Sequence, residues 1–150
     1  MSRFVNLNID DIEQIVMLEK VCFPSDCYTK KTFKKMMNDV RTLVLGIKED
    51  EKLVAMMFLY DWKGEKEFLK IINIAVHPDF RNNQYATKLI QHSVDVMRES
   101  NLRKIKSETR QSNFAMQRVF KNCGFTKELE VEEYYTKPVE TAYIYVLNSE

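Results

Sequence analysis

This chain of 150 residues predicts a mixed α/β (α+β) fold in the order β-α-α-β-β-β-α-β-α-β-β. Three observations carry that prediction. Apolar residues switch repeatedly between helical and strand spacing, three strand-like segments run in succession, and a helix-period segment then separates two strands. Consecutive strands joined by short polar turns make an antiparallel meander. A strand–helix–strand unit implies a right-handed crossover to a parallel neighbour, so the sheet is expected to be mixed. The length favours one domain over residues 1–150, with 45% hydrophobic content for a core and 30% charge for the surface.

The elements follow in order. Arg3 to Leu7 reads as a short strand. Asn8 or Asp10 can cap a helix to about Cys22, with Ile12, Ile15, Val16, Leu18 and Val21 at helical spacing until Pro24 breaks it. Thr29 to Asn38 reads as a second helix with Phe33, Met36 and Met37 on its apolar side. Thr42 to Lys48, Lys52 to Trp62 and Glu67 to Val76 form the meander, with a turn around Lys63-Gly64-Glu65. His77-Pro78 ends it, because proline has no ladder donor and disfavours a helical residue before it. From Gln84 to about Glu99 the period is helical, with Asn82 and Asn83 as caps. Ile105 to Thr109 is a strand, and Ser112 or Asn113 caps a helix through Cys123. Gly124 supplies its left-handed stop, and strands at about Thr126 to Thr136 and Glu140 to Leu147 close the chain.

Composition excludes several function classes. Only three glycines are present, Gly46, Gly64 and Gly124, so neither a Walker loop nor a GxGxxG dinucleotide fingerprint can be built. A net charge of +1 argues against a nucleic-acid binder. The three cysteines, Cys22, Cys27 and Cys123, make no disulfide framework, and with two distant histidines they give no zinc spacing, so no metal is expected. The longest apolar run, Leu53 to Tyr60, is eight residues, far too short to cross a bilayer as a helix. The N-terminus lacks the basic-then-apolar pattern of a secretory signal, so a cytoplasmic location is expected.

The informative stretch runs from Asn73 to Ala86, where a strand stops, a loop turns and a helix begins. A helix start offers unpaired N–H groups and a partial positive charge, and Arg81 adds a full one, which suits an anion. In the short strand after this helix, Lys104, Lys106 and Glu108 share one face, and Ile105, Ser107 and Thr109 the other. A polar face on a central strand suggests a wet cleft. From spacing alone the simplest role for Glu108 is an ion pair with Lys106.

Arg81-Asn82-Asn83-Gln84-Tyr85-Ala86 resembles the Arg/Gln-x-x-Gly-x-Gly/Ala loop of the GCN5-related N-acetyltransferase (GNAT) family. Glu108 to Asn113 and then Phe120 to Phe125 resemble the second half of the family core. Cys22-Phe23-Pro24 and Tyr134-Tyr135 strengthen the likeness to its bacterial ribosomal-protein alanine N-acetyltransferase subfamily. The resemblance implies a sheet splayed between the fourth and fifth strands, with acetyl-coenzyme A as co-substrate in the gap. It implies that Ile74, Ala75 and Val76 pair with the pantetheine arm and offer an oxyanion N–H. It implies further that Arg81, Asn82, Asn83, Gln84, Tyr85, Ala86 and Thr87 hold the pyrophosphate, and that Asn113 bonds the cofactor arm. Glu108 becomes the general base, because a protonated amine cannot attack a carbonyl. Phe23 and Tyr28 are then expected to flank the amine.

Two positions depart from the family pattern. Gln84 stands where glycine is usual, which is tolerable if its backbone is right-handed helical. Phe120, at the cofactor site, replaces the tyrosine that protonates the departing thiolate, leaving Tyr134 or Tyr135 as alternative acids. The implied function is transfer of acetyl from acetyl-coenzyme A to a primary amine, such as a protein N-terminal α-amine, by direct attack in a ternary complex. The alternative is a catalytically impaired coenzyme A-binding sensor or scaffold. The acceptor is a peptide or small molecule, the protein a monomer or homodimer, and no membrane is involved. Lys30, Lys31, Lys34 and Lys35 share one side of the second helix and read as a solvated face. His77 is expected to face solvent.

Overall fold

The computed structural model describes residues 1–62 and 68–149, without the side chains of Asp61 and Trp62. The turn expected at Lys63-Gly64-Glu65, and Glu67 of the strand that follows, lie outside these residues. Strand β1 (Ser2–Asn6) leads through a 3-10 turn into α1 (Ile12–Cys22), then α2 (Lys30–Met37). The meander is β2 (Thr42–Glu49), β3 (Lys52–Trp62) and β4 (Phe68–Val76). Helix α3 (Tyr85–Glu99), β5 (Lys104–Arg110), α4 (Phe114–Asn122), β6 (Thr126–Thr136) and β7 (Val139–Asn148) complete the expected order. The sheet has seven strands in the order β1-β2-β3-β4-β5-β7-β6.

Capping explains most boundaries. Asn8 and Asp11 form a reciprocal capping box before α1, Thr29 accepts the Thr32 N–H at α2, and Asn113 accepts the Met116 N–H at α4. Gly124 ends α4 with φ +92°, the left-handed stop expected of it. At α3 the expectation fails. Neither Asn82 nor Asn83 caps it; Gln84 does, at φ 61° and ψ 25°, with no side-chain hydrogen bond.

Helices α1 and α2 cover one face of the sheet, where Ile15 and Phe33 pack on Met56, Phe58 and Ala75. Helices α3 and α4 cover the other, where Leu89, Ile90 and Phe120 pack on Leu59, Leu69, Ile71 and Ile105. The paired methionines Met56 and Met57 are fully buried and serve as core filler.

Two features of the sheet create the site. Among the described residues, strands β4 and β5 pair in parallel from Phe68 with Lys104 to Ile71 with Ser107, and then diverge. The bulge lies next to that divergence: Asn73 opposes Phe58 and Ile71 opposes Leu59, leaving Ile72 as the extra residue. A bulge bends its strand, and here it turns both Ile72 and Asn73 toward α1 and α2. Among the described residues no helix is long and apolar enough to cross a membrane.

Candidate active site

The split between β4 and β5 opens a cavity of about 320 Å³. Its floor comes from the two diverging strands. One wall is the α1–α2 loop with Phe23, Asp26 and Tyr28, and the other is β6 with Tyr134 and Tyr135. Adjacent residues on a strand normally face opposite ways. Both tyrosines reach the cavity because β6 carries extra residues between Val131 and Tyr135, with Glu133 at φ 53°.

Glu108 lies at the centre. Its Oε1 accepts a hydrogen bond from the Tyr134 hydroxyl at 2.7 Å and lies 3.1 Å from the Lys70 ammonium. The ion pair with Lys106 expected from spacing is not formed; that ammonium sits over the Phe68 ring at 4.9 Å. Lys70 reaches Glu108 from the neighbouring strand, a pairing that register alone can reveal. Burial and the bond to Glu108 push the Tyr134 hydroxyl well above the usual tyrosine range. Burial, with Glu108 nearby, pushes Tyr135 up to about 12. Both therefore stay protonated at neutral pH, and Tyr134 donates its hydrogen bond to Glu108. Full proton transfer to a thiolate with pKa near 8.5 would be uphill from either.

Sequence reasoning missed a second carboxylate. Glu19 is 1% exposed, yet it lines the cavity. Its Oε1 accepts the Asn73 side-chain amide at 2.7 Å, and its Oε2 accepts the Tyr28 backbone N–H at 3.0 Å. Burial raises its pKa, and these two bonds oppose the rise. The signal was present in α1: Glu19 falls on the stripe of Ile12, Ile15 and Cys22 that must face the core. Arg110 was also missed. It bonds Asp26 at 2.8 Å, Glu140 at 3.1 Å and the Pro138 carbonyl at 2.9 Å, and stacks over Tyr135 at 4.2 Å. One guanidinium thus ties together both walls of the cavity.

The expected cofactor residues fall on the far side of the gap. Past Ile71 the β5 side of β4 has no strand partner, which leaves Ile74, Ala75 and Val76 along an open edge. The Val76 carbonyl is taken by Arg81 Nε at 3.2 Å and the Cys22 thiol at 3.3 Å, so Arg81 folds back on the strand end. Helix α3 starts with no side-chain cap and no acid in its first turn, which leaves the N–H groups of Tyr85, Ala86 and Thr87 available to an anion. Asn82 (φ 73°) and Gln84 (φ 61°) are both left-handed, so the right-handed backbone assumed for Gln84 is incorrect. Asn83 is engaged with the Phe80 carbonyl at 3.0 Å. The Tyr85 side chain is buried and donates its hydroxyl to Glu49, so only its backbone faces the loop. Asn113 lines the cavity while its carbonyl oxygen caps α4.

Phe120 is not brought to the cavity. It is fully buried and stacks on Tyr145 at 5.1 Å and near Phe125 at 5.2 Å; Met116, one turn earlier, lines the space instead. His77 does not face solvent either. Its Nδ1 accepts the Asp79 N–H at 3.1 Å and caps the 3-10 turn after β4. Among the described residues no group of His, Cys, Asp and Glu could hold a metal ion.

Comparison with known proteins agrees with this geometry. The model of the Acetyltransferase (GNAT) family matches residues 9–125. A Bacillus subtilis (strain 168) protein named "Putative ribosomal protein bS18-alanine N-acetyltransferase" is 24% identical over 139 residues, 93% of this chain and 90% of that protein. Among solved structures, the ribosomal-protein-S18-alanine N-acetyltransferase of Escherichia coli superposes with a TM-score of 0.88 at 23% identity, over 99% of this chain and 94% of that one. Arabidopsis thaliana NAA60, in complex with a bisubstrate analogue, gives 0.87 at 16% identity, over 99% and 98%. The chain belongs to the GNAT family of acetyltransferases, which move an acetyl group from acetyl-coenzyme A to an amine.

Proposed function

We propose that this acetyltransferase acts on the N-terminal α-amine of a polypeptide, by direct attack on acetyl-coenzyme A in a ternary complex. The observation that carries the reading is the Glu108 carboxylate at the floor of a cavity walled by Phe23, Tyr28, Tyr134 and Tyr135. An ammonium group must lose a proton before its lone pair can attack a thioester carbonyl, and Glu108 can take that proton directly or through water. The open edge of β4 and the uncapped start of α3 offer N–H groups for the carbonyl oxygen and the pyrophosphate. Once Glu108 has taken the amine's proton, the Tyr134 hydroxyl turns its own hydrogen bond to the departing sulfur, in place of the tyrosine that Phe120 replaces. The names borne by the B. subtilis and E. coli proteins support a peptide acceptor.

The test is transfer from acetyl-coenzyme A to peptides with a free N-terminal alanine, against the same peptides blocked at the N-terminus but carrying lysine. Mass spectrometry should find the acetyl group on the α-amine alone. Transfer to the lysine peptides at equal kcat/KM would overturn the assignment.

A further inference from the structure

A second cavity, of about 420 Å³, lies beside the first, under α2 and against the starts of β2 and β4. The two adjoin through Ile72, which lines both, and through Lys70, which lines the second while its ammonium touches Glu108 in the first. We propose that this second cavity is a subsite for an acidic side chain of the acceptor peptide, and that filling it draws Lys70 away from Glu108. The proposal rests on the peptide-amine reading above.

The charge of the lining points to a carboxylate. Lys35 and Lys70 line the cavity, and Lys35 is exposed on α2. The carboxylate in the lining, Asp39, is already satisfied: it accepts the Arg41 N–H at 2.9 Å, the Tyr60 hydroxyl at 3.1 Å and the Arg41 guanidinium. It does not compete for the lysines. Met36 and Ile72 supply apolar walls, which strengthen a charge-assisted bond by excluding water.

The link to catalysis is Lys70. Glu108 Oε1 already accepts from Tyr134 and faces the Lys70 ammonium, so two donors compete with the substrate's proton for one oxygen. A peptide carboxylate in the second cavity offers Lys70 another partner and leaves Oε1 freer to take that proton. An acidic acceptor should therefore gain in kcat as well as in KM.

The experiment compares alanine-starting peptides that carry glutamate at position two, three or four with the same peptide carrying glutamine throughout. One glutamate position should raise kcat/KM by about 10-fold, the worth of a charged hydrogen bond. In Lys35→Gln the preference should fall below about 3-fold, with rates on the glutamine peptide unchanged. In Lys70→Gln, kcat should no longer respond to glutamate. Equal kcat/KM for glutamate and glutamine peptides, or a preference that survives Lys35→Gln, would overturn the subsite. Should no peptide be acetylated, the peptide-amine reading fails, and equilibrium binding of the same peptides then decides the subsite separately. Tighter binding of a glutamate peptide, lost in Lys35→Gln, supports it; equal binding refutes it. Displacement of the glutamate peptide by a short RNA, abolished in Lys35→Gln, would assign the cavity to a phosphate backbone and overturn the proposal.

Discussion

Replacing Gln84 by glycine should make the protein more stable, although the side chain removed stands at the N-terminus of a long helix. Gln84 holds φ 61° and ψ 25°, its side chain is exposed, and it makes no capping hydrogen bond. An L-residue in this region costs roughly 1–2 kcal/mol, because its Cβ crowds the following carbonyl. Glycine escapes that cost but loses about 0.5–1 kcal/mol more backbone freedom on folding. The net is a gain of about 0.5–1 kcal/mol, or roughly 1–4 °C in Tm for a chain of this size. Thermal unfolding followed by circular dichroism reads it directly. The control is Gln84→Ala, which keeps the Cβ and so should bring no gain. If alanine stabilises as much as glycine, or if glycine lowers Tm, the backbone argument is wrong. The same variant should also bind coenzyme A more tightly, since the loop backbone can then approach the pyrophosphate more closely.

Four further outcomes can be measured. Glu108→Gln should lower kcat by about 10²-fold or more, with coenzyme A affinity in calorimetry unchanged; full activity would remove Glu108 as the base. The ratio of wild-type to Tyr134→Phe rates should stay constant from about pH 7 to pH 10, because the raised hydroxyl keeps its proton; an ordinary tyrosine would lose half its effect near pH 10. Glu19 has a raised pKa when folded, so its contribution is present at acid pH and lost as pH climbs from about 4.5 through the raised value. Wild type should therefore lose stability relative to Glu19→Gln as pH rises above about 4.5, and parallel Tm curves would refute this. Arg110→Lys keeps the charge but loses the fork to Asp26, Glu140 and two carbonyls, and should cost about 1–2 kcal/mol in chemical denaturation while raising KM for the acceptor.

Periodicity and capping chemistry made the element order legible, because each boundary depends on residues a few positions apart. Thr29, Asn113 and Gly124 act locally, and each does what its type predicts. Gln84 escaped for the opposite reason: its left-handed backbone is imposed by the loop between β4 and α3, against its own preference. Glu108 was legible through family resemblance and strand alternation. Its partners were not, since Lys70 and Tyr134 reach it from β4 and β6. The depth of Phe120 was not legible, because a helix position gives no measure of it: the ring stacks on Tyr145, which comes from β7. Glu19 could have been found, as a charge on the stripe of α1 that must be buried.

The short seam between β4 and β5 has a mechanical consequence. Among the described residues, four residue pairs form the ladder that joins the β1–β4 half of the sheet to the β5–β7 half. A chain-like ligand laid along the open edge of β4 would lengthen that seam and act as a missing rung between the halves. Occupancy would then be felt as stiffness well away from the point of contact. Amide exchange in β5 and β7 should slow together when coenzyme A binds, including at Ile144 and Val146, which lie outside the cavity.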